Sequence, residues 1–299
     1  MDTTKAVRAR PDTNRSSGET SVRPFLVLAR VSNLPTVWSN CLAAWLLAGG
    51  RSWSRFILVG LGATLLYTGG MFLNDAFDQD FDRRYRPERP IVSGLVSPKT
   101  VWALSLAWLG IGWAIFLWLG TASAAMAFLL VAAIVLYDWM HKRTVLSPVL
   151  MACCRFLLYL LAGVAAGGGR DTALLWCAGA LAAYIVGLSY LARGESTGLR
   201  FCRWTLVLLF VPAVVALFLP TSIRTLTFVT VAAVQVGWTL WCLWKEKSGM
   251  LLALPRGVAG LLAGIAFVDW LAVAGYGSAG AFLLLFGAAL TLQRVAPAT

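Results

Sequence analysis

The chain has 299 residues, 59% of them hydrophobic and 13% charged, a balance that would leave a soluble domain too little polar surface to cover itself. The formal net charge of +12 does not point to nucleic acid, because the bases stand between apolar runs instead of forming a lysine-rich tract on a soluble face. Fourteen Trp and fifteen Phe suit wide lipid contact and aromatic anchoring at a membrane interface.

The first 24 residues are polar, rich in Arg, Ser and Thr, and lack the apolar core of a signal peptide, so they are expected to form a disordered basic cytoplasmic tail. Residues 25–299 are expected to form one membrane domain, because they read as a series of apolar runs near the roughly 20 residues that cross a hydrocarbon core. The runs fall at 25–48, 56–77, 99–119, 122–140, 146–168, 172–193, 203–220, 223–244, 254–275 and 279–295. Lipid cannot satisfy an open backbone, and no strand alternation suggests a barrel. The expected fold is therefore all-α, a polytopic bundle of ten transmembrane helices, or nine if one of the last four runs is a half-span.

With the N-terminus inside and ten spans, the inner side receives Arg83, Arg84, Arg86, Arg89, Lys99, Lys142, Arg143, Arg193, Arg200, Arg203, Lys245, Lys247 and Arg294. The outer side keeps Arg51, Arg55, Arg170 and Arg224, so both termini are expected on the cytoplasmic face of the inner membrane. The two longer polar connections, 78–98 and 194–202, fall on that same face, where function is expected. Six cysteines, at 41, 153, 154, 177, 202 and 242, lie in or at the ends of apolar runs without metal-ligand spacing, which reads as packing.

The first of these connections is the most informative part of the chain. Asn74, Asp75, Asp78 and Asp82 recur at steps of three and four, which on a helix places them along one face. Carboxylates stacked on one stripe repel one another and call for a cation, and hard oxygen donors suit Mg2+. Mg2+ is commonly shared between one or two carboxylates and substrate phosphate, so the expected ligand bears phosphate. Arg83, Arg84, Arg86 and Arg89 follow at once, supplying planar forks for phosphate oxygens, and Pro87, Pro90 and Gly94 set a defined loop. A plain charged loop whose acids balance its arginines is the alternative on spacing alone.

The run N-D-x-x-D-x-x-x-D at 74–82, followed by R-P-x-R-P-I-V-S-G at 86–94, resembles the first aspartate-rich motif of the UbiA superfamily of intramembrane prenyltransferases. Arg30, Asn33, Pro35 and Asn40 in the first run and the turn Tyr137 to Arg143 after the fourth extend the resemblance over most of the chain. It implies a helical bundle around a central cavity open to lipid, in which Mg2+ on acidic motifs holds an isoprenyl diphosphate. Loss of diphosphate then gives an allylic cation that a small lipophilic or aromatic acceptor captures. By the same resemblance Asn74, Asp75, Asp78 and Asp82 would bind metal and diphosphate, with Arg83, Arg86 and Arg89 as phosphate ligands.

Members of that family carry a second aspartate-rich motif after the sixth helix. Here that stretch is Ser189-Tyr190-Leu191-Ala192-Arg193-Gly194-Glu195-Ser196, with Glu195 as the lone carboxylate and Arg193 beside it. Two readings stay open: Arg193 binds diphosphate in place of a second metal, leaving Glu195 as the remaining acidic ligand, or the chain has become a transporter or binding protein for a prenylated or phosphorylated metabolite. A lipid phosphate transferase with an alcohol acceptor is a third. In the turn 137–143, Tyr137, Lys142 and Arg143 are diphosphate candidates, and His141, the one histidine, is a weaker candidate better suited to capping a helix end. These variant stretches resemble the EboC-type subgroup, associated with secondary metabolism, more than the quinone enzymes. Arg155 and Asp269, charged within spans, either pair with each other or leave Arg155 to meet a phosphate or an acidic acceptor.

Overall fold

In the computed structural model, residues 22–168, 171–197, 203–218, 226–248, 257–274 and 278–296 are described. All regular structure among them is helical: α1 (Arg23–Leu28), α2 (Leu34–Leu47), α3 (Trp53–Phe77), α4 (Gln79–Tyr85), α5 (Pro98–Leu119), α6 (Thr121–Met140), α7 (Ser147–Ala166), α8 (Thr172–Thr197), α9 (Val211–Phe218), α10 (Leu226–Ser248), α11 (Gly257–Ala263), α12 (Ile265–Ala272) and α13 (Ala279–Val295). Most of the expected tail, 1–21, lies outside the described residues.

Six of these helices are long and apolar enough to cross a membrane, within α3, α5, α6, α7, α8 and α10, and the chain is a multi-pass integral membrane protein. The other four expected runs are short or interrupted. The first breaks at Arg30, whose φ of 45° is left-handed, and restarts through a 3-10 turn, Val31–Asn33, with Pro35 opening α2. The ninth breaks between α11 and α12. Caps mark the long helices: the Ser52 and Ser97 hydroxyls accept from the amides of Arg55 and Thr100, and Gly167, with φ 100°, ends α7.

Successive helices pack as neighbours, α3 on α5, α5 on α6, α6 on α7 and α7 on α8, while α2 runs through the middle against α3, α7, α12 and α13. Val37, Cys41, Ala43, Ala44 and Trp45 of α2 are accordingly inaccessible. Lipid offers no hydrophobic drive between helices, so small residues govern the close contacts. A Cβ at Gly69 would meet the Leu109 amide nitrogen at 3.1 Å and the Ser105 carbonyl at 3.2 Å, and the Ser105 hydroxyl donates to the Gly69 carbonyl at 2.9 Å. Large apolar side chains such as Leu106, Trp118, Phe128 and Leu284 point outward, as a lipid-facing perimeter requires. Cys41, Cys177 and Cys242 are buried and unbridged, in line with a packing role, and Cys202 lies outside the described residues.

Arg155 and Asp269 do not pair directly. Arg155 donates through Nη1 to Asn40 Oδ1 at 2.8 Å and through Nη2 to Thr36 Oγ1 at 3.1 Å, and Asn40 Nδ2 donates to Asp269 Oδ2 at 2.7 Å. Asn40 thus relays between the two charges and ties α2 to α7 and α12.

Candidate functional site

The helical stripe forms as the spacing requires. Asp78 is the joint between α3 and α4, but its φ of −82° and ψ of 0° keep the chain helical, with Asp78 N bonded to Asn74 O at 3.0 Å and Asp82 N to Asp78 O at 2.8 Å. Asn74, Asp75, Asp78 and Asp82 are all buried, whereas Asp80, on the opposite side, is 92% exposed. The expected loop from 78 to 98 therefore begins later than the sequence suggested, at Arg86, because residues 79–85 carry no helix breaker.

That loop is pinned. Ile91 and Val96 pack against Leu28, Phe72, Ala76 and Val101, and Gly94 takes a φ of 75° to close the turn. The anchoring brings Arg89 Nη1 to 3.6 Å from Asp75 Oδ1, while Arg30, thrown over the end of α3 by its own left-handed backbone, stands 3.5 Å from the same oxygen. Arg30 Nη2 also donates to Asn74 Oδ1 at 3.2 Å. From the end of α6, His141 Nε2 and Lys142 Nζ each approach Asp78 at 3.2 Å, and Lys142 sits 3.8 Å over the Phe81 ring. His141 does serve as a cap, with Nδ1 3.0 Å from the Asp138 carbonyl, yet its other nitrogen faces the stripe, so it belongs to the site.

Burial pulls the Asp78 carboxyl upward, but its hydrogen bond to His141 and the charges of His141 and Lys142 outweigh this and hold it below the ordinary carboxylate range. Asp82 goes the other way: burial, with Asp78 and Asp75 as like charges, raises it against the pull of Arg89 and Lys142.

Arg30, Arg89, His141 and Lys142, which contact the stripe, line one end of a cavity of about 750 Å3. Its polar end includes Arg30, Arg86, Arg89, Asp138, His141 and Lys142, with Tyr137 and Arg193 alongside. The remainder is walled mostly by aliphatic side chains, among them Leu66, Leu130, Ile134, Met151, Leu158 and Ile185, together with Tyr67 and Arg155. Tyr137 stacks on His141 with ring centres 5.2 Å apart. Arg193 donates from Nη1 to the Thr144 carbonyl at 3.0 Å and to Ser147 Oγ at 2.9 Å.

Two expected phosphate ligands stand elsewhere. Arg83 follows Asp82 by one residue, which turns it about 100° round the helix, and it is 62% exposed and paired with Asp80 at 3.3 Å. Arg143 is exposed and lies over the Trp139 ring at 5.2 Å. The Glu195 side chain lies outside the described residues.

Two residues were not among the expected ligands. Arg30 was one of the residues of the first run that carry the resemblance, but no ligand role was assigned to it. Asp138 is buried on α6, accepts from Asn74 Nδ2 at 3.0 Å, and borders the cavity, bringing a carboxylate to the stripe from another helix. A buried acid immediately after Tyr137 was its available signal, since a carboxylate at membrane depth needs a partner.

The donor set fits Mg2+. Asp75 Oδ2, Asp82 Oδ1 and Asp138 Oδ2 are buried without a hydrogen-bond partner, leaving hard oxygens that a divalent cation would satisfy. Among the described residues no group of three or more His, Cys, Asp or Glu is placed to hold a metal ion by itself. Open sites of that kind suit an ion completed by water and substrate phosphate.

Comparison with known proteins gives concordant results. The chain is 31% identical over 155 residues to a digeranylgeranylglyceryl phosphate synthase of Methanopyrus kandleri, covering 52% of this chain and 57% of the relative. It is 35% identical over 156 residues to a protoheme IX farnesyltransferase of Alkalihalophilus pseudofirmus, covering 48% and 50%. The chain thus spans about half the length of these curated relatives. In fold it is similar to a UbiA homologue from Archaeoglobus fulgidus bound to GPP and Mg2+, with a TM-score of 0.57 at 14% identity, covering 90% of this chain and 99% of that one. The model of the UbiA prenyltransferase family matches residues 32–250, and the chain belongs to that family.

Proposed function

We propose that the chain transfers an isoprenyl group from an isoprenyl diphosphate to a small lipophilic or aromatic acceptor, within the inner membrane and with the polar end of the cavity at the cytoplasmic face. The observation that carries this reading is the division of one 750 Å3 cavity into an end of cations with the Asp138 carboxylate, in contact with the aspartate stripe, and a mostly aliphatic remainder. Such a shape matches a molecule with a diphosphate head and a hydrocarbon tail. The A. fulgidus homologue bound to GPP and Mg2+ and the prenyl-transferring relatives support it.

In this reading Asn74, Asp75, Asp78 and Asp82, with Asp138 opposite, would hold Mg2+, as would Glu195 if it reaches them. The metal, when bound, supplies Lewis-acid neutralisation of the leaving diphosphate. Arg30, Arg86, Arg89, His141, Lys142 and Arg193 bind the remaining phosphate oxygens, and Tyr137 holds the His141 ring in place. The bond between the allylic carbon and oxygen breaks with both electrons leaving on diphosphate. The aliphatic and aromatic walls exclude water from the allylic cation, and the acceptor forms the new bond and releases a proton. Because these contacts strengthen as charge moves onto the leaving group, they act mainly on the transition state.

Purified protein in lipid nanodiscs, given Mg2+, a panel of prenyl diphosphates and candidate acceptors, should release diphosphate and form a prenylated product seen by mass spectrometry. Accumulation of a metabolite across proteoliposomes without covalent change would replace this reading with that of a carrier. Release of a phosphorylated lipid in place of diphosphate would make the chain a phosphate transferase.

A further inference from the structure

Away from the diphosphate end, the cavity wall carries one more charge. Arg155, on α7, borders the cavity and is 8% exposed. An arginine at membrane depth is costly and is normally retained for a partner or a ligand. Unlike Arg30, Arg89 and Lys142, it has no carboxylate within 4 Å among the described residues. Its neighbours are neutral: Asn40 Oδ1 on Nη1, Thr36 Oγ1 on Nη2, and the Tyr67 ring 5.7 Å from the guanidinium carbon. Two of the five guanidinium N–H donors are thereby used to fix the plane, and three are left over.

The Asp269 carboxylate that balances this charge is one residue removed. It is gripped by Ser39 Oγ and Asn40 Nδ2 and borders a separate void of about 10 Å3 beside Tyr159, large enough for one water. Asp269 therefore orients Asn40, and Asn40 orients Arg155. Arg30 and Arg155 border the same cavity with different partners, Arg30 on Asn74 and Asp75 and Arg155 on Asn40 and Thr36, so the two guanidinium groups are separate stations along it.

We propose that Arg155 is the anchor for the acceptor, which carries a single carboxylate. This rests on the prenyl-transfer reading and adds a substrate class to it. A planar fork pre-set by two neutral acceptors matches a planar carboxylate, and one arginine matches one negative charge, whereas a phosphate dianion calls for the several cations gathered at the other end. Leu158 and Met151, one turn either side on the same helix, give an aryl or alkyl body apolar surface beside the anchor. With its acid held at Arg155, the rest of the acceptor extends toward the allylic carbon.

The test uses the full chain in nanodiscs and matched probe pairs: benzoate, cinnamate and 2-naphthoate against their neutral carboxamides, with binding read by calorimetry. Acids should bind the unaltered protein about tenfold more tightly than their amides. Arg155→Gln should erase that preference while leaving geranyl diphosphate binding with Mg2+ intact, and Arg155→Lys should keep part of it. Equal binding of acids and amides by the unaltered protein, which requires no variant, overturns the proposal, as does an acid preference that survives Arg155→Gln. Loss of geranyl diphosphate binding in Arg155→Gln would assign Arg155 to the donor and also overturn it. Failure of the unaltered protein to bind geranyl diphosphate at all would instead count against the prenyl-transfer reading.

Discussion

The two walls of the polar end of the cavity are built differently. On the α3–α4 wall, four residues of one helical stripe supply an amide and three carboxylates, of which Asp75 and Asp78 contact the cations lining the cavity. The facing wall, from the end of α6 and from α8, presents His141, Lys142 and Arg193 and a single carboxylate, Asp138. Acid on one side and base on the other means that a metal would be gripped from the stripe and the phosphate oxygens from across it. Substitutions on the two walls should therefore fail in different ways. Asp75→Ala or Asp78→Ala should cut kcat by about 10^3-fold or more in a protein that still folds, because ligands of the leaving group act in the transition state. Full activity of both variants would remove the acidic wall from the reaction.

Asp138 tests whether the facing wall shares in holding the metal. Its conservative replacement, Asp138→Asn, keeps the shape and one acceptor for Asn74 but removes the charge. If Asp138 helps hold the metal, the Mg2+ concentration for half-maximal activity should rise about 10- to 100-fold. An unchanged Mg2+ titration would leave Asp138 as a positioning group for Asn74 alone. Lys142→Ala should act more weakly, raising the donor KM about tenfold with a smaller change in kcat, since a half-exposed ammonium lost from the basic wall weakens donor binding more than it slows chemistry.

Within the stripe, Asp78 and Asp82 oppose each other in sign. The Asp78 carboxyl is held below its ordinary range, so its ionised form stabilises the fold above about pH 4, and that contribution is lost as pH falls through the lowered value. The Asp82 carboxyl is raised, so ionising it costs stability at neutral pH, a cost relieved as pH falls through the raised value. In ligand-free protein at pH 7, Asp78→Asn should lower Tm and Asp82→Asn should raise it, each by about 2 °C. The Asp82→Asn gain should disappear below about pH 4, where the native carboxyl is also neutral. Equal shifts of the same sign would mean that His141 and Lys142 do not discriminate between the two acids.

Much of this was legible in the sequence because lipid enforces simple rules. Apolar runs marked every long helix, and the three- and four-residue steps placed Asn74, Asp75, Asp78 and Asp82 on one face. What escaped depends on backbone geometry that periodicity does not carry. Nothing in the first apolar run announces the left-handed turn at Arg30, a residue type that seldom adopts it, yet that turn aims Arg30 at Asp75. The pairing of α6 with the stripe, which gives Asp138 and His141 their roles, is a contact between residues more than sixty positions apart. The relay from Asp269 through Asn40 to Arg155 joins three helices, and from sequence it was reducible only to the coarser alternatives of a direct pair or a free arginine.

The smallest expected effect is the one that most sharply separates motif from site. Arg83 and Arg143 belong to the arginine-rich stretches that flank the acids in sequence, and counting bases alone would rank them with Arg86 and Arg89. The helix turns Arg83 outward to Asp80, and Arg143 rests on Trp139 outside the cavity, so neither reaches the polar end. Exposed ion pairs of this kind contribute little to stability. Arg83→Ala and Arg143→Ala should each leave kcat and the donor KM within about twofold of the unaltered protein, while Arg89→Ala, whose guanidinium lies 3.6 Å from Asp75, should not. A loss in Arg83→Ala as large as in Arg89→Ala would mean that α4 rotates or unwinds when the donor binds, bringing a second arginine onto the diphosphate.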